Sequence, residues 1–371
     1  MKFTLKKDIL LEGLNKVAKV VPSKPSIPII GGILVRCTQN EMIFTGTDST
    51  ETIIHSVAVS EDCTIEQEGA TVFPKNIVDI VKKLNKEVHI EMDAAVATIK
   101  SGKAVFQLNC FDAEEFPRIP LNLDEPILSL KGTEFIKIVS KTAYCVSTSE
   151  VRPILQGVQL VVENGCIHAV ATDSHRLGTV RVKGLKSGKE MSFVIPGKTL
   201  DTVAKTINPA DDVEIFGTRT NISFRSGNTV YVSRLLDGNY PETARLIPTE
   251  YRAVVSVDRK ALLEGLELVE KVADKAGTCK MHVNGSIHLS SFATQTGKAQ
   301  IEVEYASLDG EDDFELAFST KYAIESLKTF SAETVEFCFT GAFRPFVLRP
   351  AEDCRNEQMD ELQLILPVRT Y

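Results

Sequence analysis

Apolar residues recur at helical spacing near the beginning of the chain. Across residues 6–19, Ile9, Leu10, Leu14 and Val17 fall on one face of a 3.6-residue period. Residues 75–86 repeat this kind of pattern. Each stretch is therefore predicted to form an amphipathic helix with its apolar face against a core.

Around these helices, apolar and polar residues alternate, which is typical of strands with one buried face. The predicted strands cover residues 2–5, 32–37, 41–45, 52–59, 88–92, 97–101 and 104–109. Two helices packed on a meandering antiparallel sheet make an α+β unit.

The same unit occurs again further along the chain. Residues 28–33 (PIIGGI) return as 153–158 (PILQGV), 47–49 (TDS) as 172–174 (TDS), and 100–102 (KSG) as 225–227 (RSG). All three pairs have an offset of 125, and a constant offset is the signature of an internal repeat.

A third copy is fainter. Residues 7–14 (KDILLEGL) match 259–266 (RKALLEGL), but the TDS element has no counterpart there. Polar, proline-bearing stretches at 122–126 and 247–251 separate the copies. The predicted domains are residues 1–124, 125–248 and 249–371.

Charge is distributed unevenly between helices and strands. The net charge of −8 argues against a uniformly basic nucleic-acid-binding protein. However, the six predicted helical segments together hold 18 basic and 11 acidic residues, a net charge of +7, which leaves −15 for the rest of the chain. These segments are residues 6–19, 75–86, 134–144, 197–206, 258–275 and 320–328. Segment 258–275 is the exception, being slightly acidic. For isolated helices, a solvated lysine face would explain this pattern equally well, but its recurrence in three similar units favours helices that line an inner basic surface and attract DNA phosphates.

Several classes of function find no support in the sequence. There is no long apolar run or signal peptide, so we expect a cytoplasmic protein with no membrane association. The eight cysteines lack metal-ligand spacing and are interpreted as small apolar residues, and no metal or cofactor is expected. Ser174 and His175 superficially suggest nucleophilic chemistry, but no nucleophile elbow or phosphate-binding loop occurs, so we expect no catalytic residues and no enzyme activity.

Five motifs together resemble one family over the full length of the chain. They are ATDSHRL at 171–177, VIPGK at 194–198, SRLLDGNYP at 233–241, FTGAFRPF at 339–346 and LPVRTY at 366–371. The chain resembles the bacterial DNA polymerase III beta subunit, the DNA sliding clamp.

The resemblance implies three DNA-clamp domains that form half of a ring, closed by a second copy in a head-to-tail homodimer. Such a ring encircles double-stranded DNA without reading its sequence and acts as a processivity factor in DNA replication. The resemblance implies that the protein is cytoplasmic and associated with the nucleoid. The implied partners are the replicative DNA polymerase catalytic subunit, an ATP-driven clamp loader, and mismatch-repair and other proteins with a clamp-binding motif.

The resemblance also implies three sets of functional residues. The partner-peptide pocket would comprise Thr172, His175, Arg176, Leu177, Pro241, Arg245, Leu246, Tyr322, Pro367, Val368 and Arg369. Its leucines, prolines and valine would accept apolar anchors, and its arginines would hold carbonyls or carboxylates. DNA contacts map onto Lys24, Lys75, Arg152 and Lys198, and the dimer interface onto Lys103, Phe106, Glu302 and Glu304.

Two observations leave alternatives open. Thr172 and Asp173 repeat Thr47 and Asp48, which favours a turn-forming role in both copies, whereas His175 and Arg176 have no such counterparts. Gly178 stands where the family pattern favours an apolar residue. A diverged second clamp copy, acting as a peptide-binding interaction scaffold, is the alternative function.

Overall fold

The computed structural model describes residues 1–185, 190–273, 277–292 and 297–369. Within them the chain forms six α-helices, as predicted: α1 (Lys7–Ala18), α2 (Ile77–Lys83), α3 (Gly132–Thr142), α4 (Gly197–Ala204), α5 (Arg259–Glu270) and α6 (Thr320–Leu327). None of these helices is long and apolar enough to cross a membrane. The fold is α+β, as predicted.

Strands make up most of the remaining regular structure. The first repeat contains β1 (Lys2–Lys6), β2 (Gly32–Cys37), β3 (Glu41–Thr47), β4 (Glu51–Ala58), β5 (Cys63–Gln67), β6 (Gly69–Pro74), β7 (Glu87–Asp93), β8 (Val96–Ser101) and β9 (Ala104–Asn109). The second contains β10 (Leu128–Lys131), β11 (Gly157–Glu163), β12 (Cys166–Thr172), β13 (Arg176–Val182), β14 (Met191–Pro196), β15 (Asp212–Gly217), β16 (Asn221–Ser226) and β17 (Thr229–Arg234). The third contains β18 (Ala253–Asp258), β19 (Thr278–Asn284), β20 (Ser286–Ser291), β21 (Gln300–Val303), β22 (Ser307–Gly310), β23 (Asp313–Ser319), β24 (Thr334–Phe339), β25 (Phe346–Pro350) and β26 (Met359–Ile365).

The first helix of the first and third repeats is built from equivalent residues. In α1, Leu10, Gly13 and Leu14 are buried, and in α5 the residues 252 positions later, Leu262, Gly265 and Leu266, are buried as well. The glycine is required in α1 because a Cβ at Gly13 would lie 2.7 Å from the ring of Phe44. Close approach of helix to sheet therefore accounts for one of the repeated sequence positions.

Helix α2 is shorter than the predicted 75–86. It begins at Ile77 and ends at Lys83, because Leu84 adopts an extended backbone conformation and turns the chain towards β7. The amide of Asn85 then donates to the hydroxyl of Ser101 at 3.1 Å. Leu84 is buried although it is not helical, so apolar spacing alone overestimated the helix.

Each repeat forms two antiparallel half-sheets of four strands. The opening half-sheets have the orders β6-β2-β3-β4, β14-β11-β12-β13 and β23-β19-β20-β21. The closing half-sheets have the orders β1-β7-β8-β9, β10-β15-β16-β17 and β18-β24-β25-β26. Strands β5 and β22 extend two of the closing half-sheets beyond β1 and β18.

Half-sheets of successive repeats join into continuous sheets, which the sequence did not reveal. Strand β17 of the second repeat pairs with β4 of the first, and β26 of the third pairs with β13 of the second. The chain consequently divides into two compact units: residues 1–135 with 202–235, and residues 136–201 with 236–371. Each unit contains one joined sheet, and the division falls inside the second repeat. The two predicted boundaries between the three domains stay a prediction.

Two half-sheets, in the described residues, do not join another half-sheet and end in an open edge where a junction would lie. In the first unit the closing half-sheet of the first repeat ends at β9, where Val105 and Phe106 are exposed. In the second unit the opening half-sheet of the third repeat ends at β21. Exposed apolar residues on an unpaired strand indicate a surface that another strand can cover.

Candidate functional site

A tight turn between β12 and β13 forms the centre of the candidate peptide pocket. One Asp173 carboxylate oxygen accepts hydrogen bonds from the amides of His175 and Arg176, at 2.9 and 3.0 Å. The hydroxyl of Thr172 donates to the carbonyl of Arg176 at 2.7 Å. Ser174 has a φ of +77°, in the left-handed region that this turn requires.

The first repeat contains the same turn. Asp48 accepts hydrogen bonds from the amides of Thr50 and Glu51, and Ser49 has a φ of +79°. The hydroxyl of Thr47 donates to the carbonyl of Glu51 at 2.8 Å. This agreement confirms that the repeated threonine and aspartate serve the turn, so the turn alone does not define a binding site.

The residues after the turn differ between the repeats and provide an apolar floor only in the second. Leu177 is 1% exposed and lies opposite Leu364 of β26. The buried cluster around them consists of Val170, Leu177, Cys338, Val347 and Leu364, with Tyr240, Tyr251, Val254 and Leu362 packed against it. Thr52 takes the place of Leu177 in the first repeat.

The C-terminal segment is fixed beside this floor. The amide of Leu366 donates to the carbonyl of His175 at 2.9 Å, and the amide of Val368 donates to the carbonyl of Ala317 at 2.7 Å. Val368 and Arg369 are exposed while Pro367 is half-buried. The tail therefore joins the start of β13 to β23 and presents its own side chains at the surface.

Arg176 is buried and held by several partners, instead of projecting into solvent. Its side chain is 8% exposed and donates to Asp173 at 2.9 Å, to the carbonyl of Tyr144 at 2.7 Å and to Glu325. Its guanidinium also lies 4.5 Å from the ring centroid of Tyr322. Burial lowers the pKa of Arg176, but the hydrogen bond to Glu325 and the neighbouring negative charges outweigh it, so the group stays charged.

The remaining pocket residues lie on the segment between two tyrosines. Tyr240 and Tyr251 both pack against the floor, and the Tyr240 hydroxyl accepts a hydrogen bond from the amide of Thr172 at 3.1 Å. Pro241, Arg245 and Leu246 lie between these tyrosines in sequence and are exposed. Arg245 contacts Glu242 at 3.3 Å, yet 81% of its side chain remains accessible.

Residues predicted to contact DNA have different environments. Lys24 is exposed in the loop before the 3-10 turn Pro28–Gly31, and Arg152 is exposed immediately before the equivalent turn Pro153–Gln156. Lys198 is exposed in the first turn of α4. Lys75 precedes α2, is half-buried and donates to the carbonyl of Val21, which ties the chain after α1 to α2.

Residues predicted for the dimer interface lie on the two edge strands. Lys103 is exposed in the turn before β9, and Phe106 on β9 is 38% exposed. Glu302 is exposed on β21, where its carboxylate accepts a hydrogen bond from the Ser286 hydroxyl at 2.7 Å, and Glu304 is exposed just after this strand. The predicted interface residues therefore lie at the ends of two different half-sheets.

Several residues of the site were missed by sequence reasoning. They are Tyr144, Tyr240, Tyr251, Glu325, Val347 and Leu364. Glu325 was detectable, because it lies three residues after Tyr322 on a predicted helix and therefore shares its face. The others come from strands and loops far apart in sequence.

Three repeats of paired half-sheets, joined through continuous sheets and with a buried apolar cluster beside the C-terminal tail, define a protein of the DNA-clamp class. Profiles of the N-terminal, central and C-terminal domains of the DNA polymerase III beta subunit match residues 1–120, 129–242 and 244–369. The chain therefore belongs to the DNA polymerase III beta subunit family, the DNA sliding clamps of bacterial replication.

Individual relatives agree with this assignment. The chain is 36% identical to the beta sliding clamp of Bacillus subtilis and 34% identical to that of Halalkalibacterium halodurans, with all of each chain covered. The crystal structure of the Bacillus subtilis clamp superposes with a TM-score of 0.94, at 36% identity and full coverage of both chains. The beta subunit from Streptococcus pyogenes also gives a TM-score of 0.94, at 29% identity and full coverage.

Proposed function

We propose that two copies of this sliding clamp close head to tail into a ring around double-stranded DNA and hold partner proteins through one peptide pocket per chain. The observation that carries this proposal is the way half-sheets join. In both junctions within the chain, the closing half-sheet of one repeat pairs with the opening half-sheet of the preceding repeat.

The same rule specifies how two chains would meet. The half-sheets left without a junction are the closing half-sheet of the first repeat, ending at β9, and the opening half-sheet of the third, ending at β21. Pairing β9 of each chain with β21 of the other continues the pattern. Every half-sheet of the two chains would then be joined to another half-sheet. This contact is heterologous, and such contacts produce a closed ring when the rotation closes.

Side chains on these edges support the pairing. Val105 is 62% exposed and its neighbour Phe106 is 38% exposed, so two adjacent apolar side chains lie on the open edge strand β9, which a partner strand could cover. Lys103 near β9 and the two glutamates near β21, Glu302 and Glu304, have opposite charges. Apolar burial would supply most of the affinity, since exposed ion pairs contribute about 0–1 kcal/mol.

Contact with DNA would be electrostatic and independent of sequence. The net charge is −8, so a uniformly attractive surface is excluded and the basic side chains must act locally. Lys24, Arg152 and Lys198 are exposed at corresponding loops and helix starts of the repeats. The clamp acts without catalysis and without a cofactor, as a cytoplasmic, nucleoid-associated protein.

The peptide pocket would occur at only one junction of each chain. At the other junction Thr52, not a leucine, lies opposite Val232, and its hydroxyl is hydrogen-bonded to that of Thr47 at 2.8 Å. Apolar anchors of a partner peptide would therefore find a floor only around Leu177. The partners we propose are the replicative polymerase catalytic subunit, an ATP-driven clamp loader, and mismatch-repair and other clamp-binding-motif proteins.

Full-length similarity to named beta sliding clamps favours this function over a diverged second copy that acts only as a scaffold. Topological linkage to DNA distinguishes the two. After loading on nicked circular DNA, the clamp should remain bound in high salt, and it should be released once the DNA is cut at a single site. Equal retention on circular and linear DNA would contradict encirclement.

A separate experiment tests the pocket. Removal of residues 366–371, of which Thr370 and Tyr371 lie outside the described structure, eliminates the backbone hydrogen bonds to His175 and Ala317. Binding of a fluorescein-labelled hexapeptide with one Gln followed by Leu and Phe anchors should be lost, while the dimer persists in size-exclusion chromatography. Unchanged peptide affinity would refute the pocket assignment.

A further inference from the structure

Three elements of the second compact unit meet at the Arg176 guanidinium. Asp173 belongs to the turn before β13, the Tyr144 carbonyl to the 3-10 turn Ala143–Cys145 after α3, and Glu325 to α6. Each accepts a hydrogen bond from a different nitrogen of the same planar group. A planar fork with fixed donors is well suited to fix three elements at one angle.

Aromatic groups of the pocket wall pack on this guanidinium. It lies 4.5 Å from the ring centroid of Tyr322 and 5.0 Å from that of Tyr144. The ring of His175 stacks on Tyr322 with a centroid distance of 6.5 Å and an interplanar angle of 22°. Two predicted pocket residues, His175 and Tyr322, therefore take their positions from contacts with Arg176 or with each other.

The charge of Arg176 is already balanced within the protein. Two carboxylates, Asp173 and Glu325, accept from it, and only 8% of its side chain is accessible. A partner carboxylate would have to displace one of them to reach the guanidinium. Recognition of negative charge on a peptide is better served by Arg245, which is 81% accessible.

We propose that Glu325 is a positioning residue of the peptide pocket, which holds Arg176 from α6 and so fixes Tyr322 and His175 as a preformed wall for an extended peptide. This inference rests on the proposed peptide-binding function. It assigns Arg176 to the organisation of the pocket and not to contact with peptide carboxylates. A preformed wall increases affinity for the peptide, because fewer side chains must become ordered on binding and the entropy cost of binding is smaller.

The chain offers a matched control in an ion pair between the end of α6 and the neighbouring helix α5. Lys328 follows α6 and pairs with Glu267 of α5 at 2.7 Å, away from Arg176. Glu325→Gln and Glu267→Gln each replace one carboxylate of an ion pair at α6 by an amide of the same size. Helix α6 keeps another tie to the site in both variants, since the Ser326 hydroxyl is hydrogen-bonded to that of Tyr144 at 3.0 Å.

The test is the affinity of the purified full-length dimer for the labelled Gln-Leu-Phe hexapeptide, in a neutral form and in a form with one Asp, measured by fluorescence polarisation. Glu325→Gln should weaken binding of both peptides about tenfold, whereas Glu267→Gln should bind like the wild type. If Arg176 instead contacts peptide carboxylates, its release by Glu325→Gln will strengthen binding of the Asp peptide, which would overturn the proposal.

A second variant keeps the test valid if either substitution perturbs folding. Arg176→Lys retains the charge but cannot reach three acceptors at once, and its effect combined with Glu325→Gln should be far from additive. Additive effects would refute the proposed linkage. If the wild type binds neither peptide, the proposed peptide-binding function is wrong. If the wild type binds peptide and the 366–371 truncation does not, the proposed function stands. In that case, wild-type affinity of Glu325→Gln would contradict only the inference about Glu325.

Discussion

At the scale of single residues, one buried glycine explains a departure from the family pattern. A Cβ at Gly178 would lie 2.5 Å from the carbonyl oxygen of Lys141 and 2.7 Å from the side-chain oxygen of Gln363. Lys141 is itself 3% exposed and pairs with Glu361, and Gln363 accepts from the Tyr144 hydroxyl at 2.6 Å. A buried polar network occupies the space that an apolar side chain would need.

We expect Gly178→Ala to destabilise the clamp by about 2 kcal/mol, because a backbone carbonyl has little freedom to move away from the new methyl group. Equilibrium urea unfolding of the variant measures this loss. Ser192→Ala, at an exposed position of the same sheet, is the control and should have little effect. A Gly178→Ala variant as stable as the wild type would show that the network relaxes easily.

His55 predicts a pH dependence of stability. Burial, together with the charge of Lys16, lowers the pKa of His55 from 6.5 to about 4, so the folded protein holds the neutral imidazole against Thr229. The unfolded chain takes up a proton below pH 6.5, and stability therefore falls as the pH drops from about 6.5 to about 4. At pH 5 the loss is about 2 kcal/mol.

Replacement of His55 by Gln removes this titration. Urea unfolding at pH 7 and pH 5 should show a smaller difference for His55→Gln than for the wild type. The same pH dependence in both proteins would mean that other groups, such as His168, whose pKa burial also lowers, account for it.

At the scale of elements, the same turn serves different purposes in two repeats. After the turn in the first repeat come Glu51 and Thr52, and in the second Arg176 and Leu177. The backbone hydrogen bonds are equivalent, but only Arg176 links its turn to α6, through Glu325. Local structure is thus shared by the two repeats, while the surface proposed to bind peptides occurs in only one of them.

This difference gives a paired prediction. Asp48→Ala and Asp173→Ala each remove the acceptor of two backbone amides, and each should cost about 1–2 kcal/mol of folding free energy. Only Asp173→Ala should also weaken peptide binding, because it releases Arg176. Urea unfolding and fluorescence polarisation measure the two effects, and equal losses of peptide affinity would contradict the assignment.

At the scale of the whole molecule, the half-sheets specify how two chains would associate in the proposed dimer. The two joined sheets use the pairs β17 with β4 and β26 with β13. Strands β9 and β21 are the corresponding strands of the remaining half-sheets. The proposed dimer therefore needs no type of contact that the single chain does not already contain.

Phe106→Glu should convert the dimer to a monomer, because it places a charge on the apolar edge of β9. Light scattering coupled to size-exclusion chromatography measures the mass directly. Val59→Glu changes another exposed apolar residue of the first repeat, outside β9, and should leave the dimer intact. A dimeric Phe106→Glu protein would place the interface elsewhere.

Prediction from sequence succeeded where the signal is local. Helical spacing in the first repeat, carried to the later repeats by their correspondence, located the six helices of the described residues, and the repeated TDS motif identified a turn that the hydrogen bonds confirm. The pocket was approached only through family resemblance, and Glu325 and Tyr144 were missed. Their contacts with Arg176 span 149 and 32 residues of sequence, and no periodicity encodes such distances.

The sequence by itself determined the repeat, the elements within it and the membership of the chain in its family, because periodicity and local hydrogen bonding act over a few residues. Tertiary structure alone decided that sheets continue from one repeat to the next and that Arg176 is buried among carboxylates. Strand pairing and burial depend on residues brought together from distant parts of the chain, and their energies appear only when the chain is folded.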